Sequence, residues 1–516
     1  MNAQHWIAGA WTGEPSADSV NPADGTLIGQ FADGGIWQAE AAIAAARHVF
    51  ERTTWGQDAR LRQDVLLAWA GALEAERERL ASLLTAENGK PVAQARGEVG
   101  AAISEVRYYA GLARHIPGHV LEPEPGTIST ILREPAGVAA IIVPWNAPAV
   151  LLVRSLAPAL AAGCTAVVKS AAQTTLFTAA MLRLFERTAL PAGAVNLVCE
   201  TGHAAADHLV RSHDVDVVSF TGSTATGKKI MIAAADSVKK LSLELGGKSC
   251  CLVFDDVDAQ AVAKRLALAA TVISGQQCTA ARRVLVHEAI APQMRRHLTE
   301  ALAALRLGPG IEPNTQIGPL IDQPTRAMVS AQVERACDEA DTILLRGTMP
   351  GGALARGAFL SPTLVEHSDP NAFFCQEEIF GPFVTFETFA TEGEALAKAN
   401  NTVFGLSASV WTQHGERAMR VARALRNGTV WVNDHNRLFA EAETGGYRQS
   451  GLGRLHGYDA LADFTELKHI CIQAGLPNGM SQAGCSISGV AAGERMGVPS
   501  STDPDGGKRS VPPGNE

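Results

Sequence analysis

The chain has 516 residues, with 44 Lys+Arg against 53 Asp+Glu and a formal net charge of −9. Hydrophobic residues make up 46% and charged residues 19%, enough for several large cores and too apolar for a disordered protein. The acidic balance, without a basic block, excludes a dedicated nucleic-acid binder, whose footprint is strongly positive. Nine cysteines, with Cys250 and Cys251 adjacent, fit a reducing compartment better than a disulfide scaffold. The first 50 residues show no export signal. The most apolar long stretch, 137–153, is broken by Pro144, Asn146 and Pro148 and followed by Arg154, which disqualifies it as a membrane span. A cytoplasmic enzyme without a metal site is the expectation.

Residues 35–115 read as mainly helical, Ala-rich with charges three or four apart. Short β segments broken by Pro123, Pro125 and Gly126 follow to residue 137. Strand and helix then alternate, with strands at 138–143, 165–169, 194–198, 216–220 and 241–245 and helices at 149–162, 176–188 and 227–235. A second alternating region runs from 259 to 433, with strands at 281–286, 383–388, 408–411 and 428–432. Short apolar strands between helices imply parallel sheets covered on both faces. The expected fold class is α/β: two doubly wound lobes plus a small β element. The boundaries read are 1–116 with 138–245 for one lobe, 246–445 for the other, and 117–137 with 446–474 for the β element. The Gly-, Pro- and Ser-rich stretch 475–516 reads as a disordered tail.

Four segments carry the chemistry. In Phe-Thr-Gly-Ser-Thr-Ala-Thr-Gly-Lys-Lys (220–229), Gly222 and Gly227-Lys228 stand at phosphate-loop spacing between a strand and a helix. Lys229 occupies the place of the Mg²⁺-holding Ser or Thr, which argues against ATP hydrolysis. Free backbone N–H groups at such a turn suit a dinucleotide pyrophosphate, with a plain turn as the alternative. No G-x-G-x-x-G supports an ordinary dinucleotide fingerprint. Glu244, in Leu-Glu-Leu-Gly-Gly-Lys, is a carboxylate at the end of an apolar strand, suited to act as a base or as a structural acceptor. Cys278, in Ser-Gly-Gln-Gln-Cys-Thr-Ala, sits among small residues where backbone dipoles favour a thiolate. Cys164, Cys199 and Cys251 lie in apolar runs and read as packing. Asn146, between Pro144 and Pro148, is a rigidly placed amide, an oxyanion donor or a turn former.

These segments, in this order, resemble the aldehyde dehydrogenase superfamily. Its P-W-N-x-P, K-x-x-x-x-T, F-T-G-S-x-x-x-G, E-L-G-G-K, G-Q-x-C and E-I-F-G-P motifs match at Pro144, Lys169, Phe220, Glu244, Gly275 and Glu378, over roughly residues 6–473. The resemblance implies a catalytic cysteine, Cys278, that forms a thiohemiacetal and then a thioester. It implies Asn146 as oxyanion donor and Glu244 as the base for hydrolysis. NAD or NADP is the implied cofactor, held by Val143, Pro144, Trp145, Lys169, Ala172, Gly222, Ser223, Gly246, Glu378 and Phe380. The first lobe becomes the dinucleotide-binding domain, the second the catalytic domain, and the β element the means of forming a homodimer or homotetramer.

The chain departs from the pattern at Ala172, where the family usually has the ribose-binding Glu, leaving NAD against NADP open. It departs also at Ile273, Glu443-Thr444 and Leu455. Ala147, Leu151, Arg154, Gln277 and Thr279 are the expected substrate wall. On a helix, Ala147, Leu151 and Arg154 share one stripe. Arg154 then lies about 12 Å along from Asn146, within reach of a substrate's far end, unless it pairs with a neighbouring acid. This pocket segment resembles salicylaldehyde and vanillin dehydrogenases, and an Arg there also resembles succinate-semialdehyde dehydrogenases. The expected substrate is an aromatic or polar/anionic aldehyde, with a succinate-semialdehyde- or betaine-aldehyde-type enzyme as alternatives. A CoA-acylating relative and a non-catalytic binding or structural protein are the competing readings, both opposed by Cys278, Glu244 and Asn146 together.

Overall fold

The structure, a computed structural model, describes residues 2–473. The 475–516 tail lies outside the described residues. Val138–Ile142 (VAAII) and Thr165–Lys169 (TAVVK) are buried on both faces, as parallel strands between helices must be. They join three further parallel strands in the spatial order Lys240–Glu244, Val217–Thr221, Val138–Ile142, Thr165–Lys169, Val195–Val198. Chain order reverses between Val138–Ile142 and Val217–Thr221. Doubly wound sheets take ligands in the crevice beyond the carboxyl ends of such a pair. Residues 143–146 and 222–223 leave the sheet at that place.

Antiparallel additions close both edges: Gly451–Leu452 pairs with Leu243 and Glu244, and the hairpin of His5–Ile7 and Ala10–Thr12 pairs through Trp6 with Leu197. The segment after 446 therefore returns to the first sheet, although sequence reading grouped it with the β element; only Thr465–Gln473 joins His119–Glu124 and Thr127–Pro135 in a three-stranded sheet. The second large sheet runs Thr342–Leu345, Thr363–Glu366, Phe383–Phe389, Arg283–His287, Cys250–Val253, Ser407–Trp411, Thr429–Val432, parallel except at its first strand. Contacts divide the chain into two compact units. Among the described residues, the large one runs to His119 and over Ile131–His469, and the small one holds Val120–Thr130 and Ile470–Gln473.

Two helices position the site. Pro148–Ala162 starts with Pro at its first turn, ends at Gly163 (φ 101°) and is buried almost all round. An arginine on such a helix, Arg154, needs an internal partner. Val92–Leu112 packs closely against it and presents Gln94, Glu98, Ala101 and Glu105 along one face at three- to four-residue spacing.

Candidate active site

After the helix Ala259–Thr271 the backbone turns through Ile273 (φ 48°), Ser274 (φ 56°) and Gly275 (φ 76°). A β-branched residue in the left-handed region is costly and persists only where its surroundings fix it. Here the Ile273 N–H donates to Gln94 Oε1 at 3.0 Å and Ser274 Oγ donates to Gly318 O at 2.8 Å. The buried Gln276 amide donates to Ile273 O and accepts from Ile321 N–H. Gly275 is required: a Cβ there would stand 2.2 Å from Gly381 O. Arg282 clamps the turn from below, donating to Gly275 O and to Gly381 O. The product of this turn is a half-buried Cys278 at the wall of a cavity of about 470 Å³.

Asn146, Glu244 and Arg154 line the same cavity, as do Ala147, Leu151, Gln277 and Thr279. Asn146 Nδ2 donates to Gln276 O at 3.0 Å, which ties the amide to the cysteine turn and leaves its second N–H for another acceptor. The Asn146 backbone carbonyl accepts from Lys90 Nζ at 2.7 Å, and Lys90 is paired with Glu98. Gln277 and Thr279 are held from across the cavity by Asn436 Oδ1. Burial pushes the Cys278 thiol up, the Arg154 charge pulls it down and Glu378 pushes it up again.

Arg154 is turned onto Glu244, with which it forms a buried ion pair, and its Nη2 donates to Thr221 Oγ1 at 3.1 Å. Burial lowers its guanidinium to about 10, opposed by the charges of Cys278 and Glu105. The acid that the sequence left unnamed is thus the expected base itself. A guanidinium committed in this way has little charge left for a substrate's far end.

The crevice beyond the first sheet gathers the residues expected to hold the cofactor. Val143 N–H donates to Lys169 O at 3.0 Å and Gly222 N–H to Glu244 O at 3.0 Å, so both turns are fixed to the sheet. Ser223 caps Thr224–Ala234, accepting from Thr226 N–H, and opens a helix N-terminus to the crevice. Trp145 and Phe380 meet edge to face at 5.7 Å. A Cβ at Gly246 would stand 2.6 Å from Glu378 Oε2. Glu378 is pushed up to about 7, chiefly by burial, and its buried Oε1 has no hydrogen-bond partner among the described residues. An orphaned buried acceptor fits a ribose hydroxyl, and a helix N-terminus fits a pyrophosphate. Ala172 opens the short turn Ala172–Thr174 without a carboxylate. Lys169 Nζ instead lies 3.8 Å from Glu200 Oε2, a side chain already accepting from Ala205 N–H at 2.7 Å.

The sequence model of the aldehyde dehydrogenase family matches residues 8–470. The chain belongs to the aldehyde dehydrogenase family. It is 38% identical to a betaine aldehyde dehydrogenase of Bacillus subtilis, over 91% of this chain and 97% of that protein. It is 36% identical to a mitochondrial succinate-semialdehyde dehydrogenase of Arabidopsis thaliana, over 92% of this chain and 89% of the relative. A crystal structure of a betaine aldehyde dehydrogenase variant from Staphylococcus aureus in complex with NAD+ superposes with TM-score 0.89 at 36% identity, covering 93% of this chain and 98% of that one. This aldehyde dehydrogenase is an oxidoreductase of the NAD(P)-dependent type, built on the family's two-lobed α/β fold. No helix among the described residues is long and apolar enough to cross a membrane.

Sequence reasoning missed the wall that faces Cys278 across the cavity. Gln94, Glu98 and Glu105 lie in the stretch 35–115, read only as helical with charges three or four apart and with no face assigned to a site. The one signal was position: Glu105 falls within the buried stripe of Val99, Ala102, Ile103 and Val106. Asn436, Leu438 and Phe439 come from an irregular loop after Thr429–Val432, where no periodicity points inward. His456 stands in the cavity in the stretch read as oligomerisation element.

Proposed function

We propose that this aldehyde dehydrogenase oxidises a polar aldehyde to its acid by covalent catalysis on Cys278, with hydrolysis promoted by Glu244. The observation that carries this is the convergence of Cys278, Asn146 and Glu244 on one cavity. The Cys278 thiolate adds to the aldehyde carbon, and the oxyanion is held by Asn146 Nδ2 and the Cys278 backbone N–H. NAD or NADP, when bound, supplies the hydride acceptor. Loss of the hydride leaves a thioester on Cys278. Glu244, held by Arg154, then takes a proton from water as the oxygen adds to the thioester carbon, and the thiolate leaves. The first lobe (1–116 and 138–245) would hold the cofactor through Val143, Pro144, Trp145, Lys169, Gly222, Ser223, Gly246, Glu378 and Phe380. Residues 246–445 would supply the thiol.

An aromatic or extended substrate fits between Ala147, Val150, Leu151, Leu438 and Phe439, which give the cavity its apolar wall. Following NAD(P)H absorbance over an aldehyde panel, with and without CoA, tests the reading. Turnover without CoA supports hydrolysis, whereas turnover only with CoA replaces it by acyl transfer.

The Arg154–Glu244 pair yields an expected result. Arg154→Leu lowers kcat on carboxylated and neutral aldehydes alike, and destabilises the protein by about 3–5 kcal/mol by orphaning a buried carboxylate. A loss confined to carboxylated substrates would return Arg154 to the substrate's far end. Ala172→Glu, which adds an acceptor for a ribose hydroxyl and a charge against a 2′-phosphate, raises the NAD/NADP ratio of kcat/KM by about tenfold or more. An unchanged ratio would move the ribose elsewhere. The small unit exposes Val120, Leu121, Ile128, Ile470 and Ile472, which supports burial against further copies in a homodimer or homotetramer.

A further inference from the structure

The cavity holds a second buried polar pair that the mechanism does not use. His456 Nδ1 and Glu105 Oε2 are 2.8 Å apart, and both side chains are 3% exposed. Both residues line the cavity with Cys278. Their remaining polar atoms, Glu105 Oε1 and His456 Nε2, are buried and have no hydrogen-bond partner among the described residues. Buried polar atoms without partners are costly, so a pair of them on the wall of a ligand cavity points to a group that completes them. The pair is built rather than incidental. His456 is held at φ 58°, in the left-handed region, and the following Gly457 carbonyl accepts from Tyr109 Oη at 2.9 Å. Tyr109 stands one helical turn from Glu105 on the same helix, Val92–Leu112.

The charges of the cavity indicate what that group is. Four carboxylates line it, Glu98, Glu105, Glu244 and Glu441, against two permanent cations, Lys90 and Arg154. Lys90 is taken by Glu98 and Arg154 by Glu244. Glu105 and Glu441 remain without a permanent cation of their own, so the field is negative. A carboxylate only accepts, so the proton between Glu105 and His456 sits on His456 Nδ1. Glu105 Oε1 is then left as a buried acceptor that asks for a donor.

We propose that Glu105 and His456 form the subsite for the far end of the substrate, and that the aldehyde selected there carries a hydrogen-bond donor, a protonated amine ahead of a hydroxyl. The proposal deepens the reading of Cys278 as nucleophile and rests on it, because the subsite shares that cavity. A carboxylate-ended aldehyde brings a like charge and two more acceptors. A methyl-ended one leaves Oε1 and Nε2 unsatisfied.

The experiment compares kcat/KM of the full-length enzyme, with NAD and with NADP, for 3-aminopropanal, 3-hydroxypropanal, butanal, succinic semialdehyde and betaine aldehyde, which is a cation without a donor. The expected order is amine, hydroxyl, methyl, carboxylate, with the amine about tenfold or more above butanal and betaine aldehyde below the amine. In Glu105→Gln the amine-to-butanal ratio falls below about threefold, as expected when an ionic hydrogen bond becomes a neutral one; His456→Gln, the second variant, lowers the same ratio. A wild-type preference for succinic semialdehyde, a flat panel, betaine aldehyde above the amine, or a ratio retained in both variants overturns the subsite. Those results would leave the dehydrogenase reading standing. Absence of NAD(P)H from every aldehyde with either NAD or NADP would instead remove that reading and the subsite with it.

Discussion

Cys278→Ser forms no measurable NAD(P)H from any aldehyde, a loss of roughly 10³-fold or more. The hydroxyl has the right position and the wrong acidity: it is hardly ionised near neutral pH, whereas a thiol is within reach of it. Burial already pushes the Cys278 thiol up, and the Arg154 guanidinium is the charge that opposes this. The sign of the pH dependence follows. The thiolate fraction grows as pH rises, so the pre-steady-state burst and alkylation by iodoacetamide both accelerate towards alkaline pH. In Arg154→Leu the opposing charge is gone, and the same rise moves to higher pH. Alkylation rates against pH for the two proteins check this directly; coincident profiles would remove Arg154 from the thiol's field.

Glu244→Gln gives the second large effect, and it falls on a different step. The amide keeps the shape of the side chain at the end of Lys240–Glu244 but takes no proton from water. NAD(P)H appears as a burst of about one equivalent per Cys278 and turnover then stalls, with kcat down about 10²- to 10⁴-fold. Stopped-flow absorbance separates the burst from the steady state. A variant that turns over like the wild type would mean that another group activates the water.

The central strands were legible in the sequence because each is a short apolar run bounded by turn residues, and their observed limits fall within one or two residues of the reading. Cys250–Val253 was not, since four apolar residues beside a glycine pair carry no period. The N-terminal hairpin, the helix Ala204–Arg211 and the antiparallel Gly451–Leu452 escaped for a related reason: each gains its place by pairing or packing with a distant segment. Cys278, Glu244 and Asn146 stood out in the sequence because those residue types beside glycine and proline turns suit the proposed chemistry. What surrounds them was not. The strain at Ile273 and Ser274 depends on Gln94 and Gly318, far away in sequence. The partner of Arg154 lies 90 residues further along the chain, on a neighbouring element of the core. Helical spacing put Arg154 on the right face, but spacing alone does not say which acid meets it.

The covalent step is the centre of the account, and trapping it is the most direct measurement. Glu244→Gln is mixed with NAD and a good aldehyde substrate, quenched in acid and analysed by intact-protein and peptide mass spectrometry. The account predicts one acyl group per chain, located on the peptide carrying Cys278, formed only with NAD present and absent from the protein that also bears Cys278→Ser. An unmodified Cys278 after a full NADH burst, or an acyl group on any other residue, would contradict it.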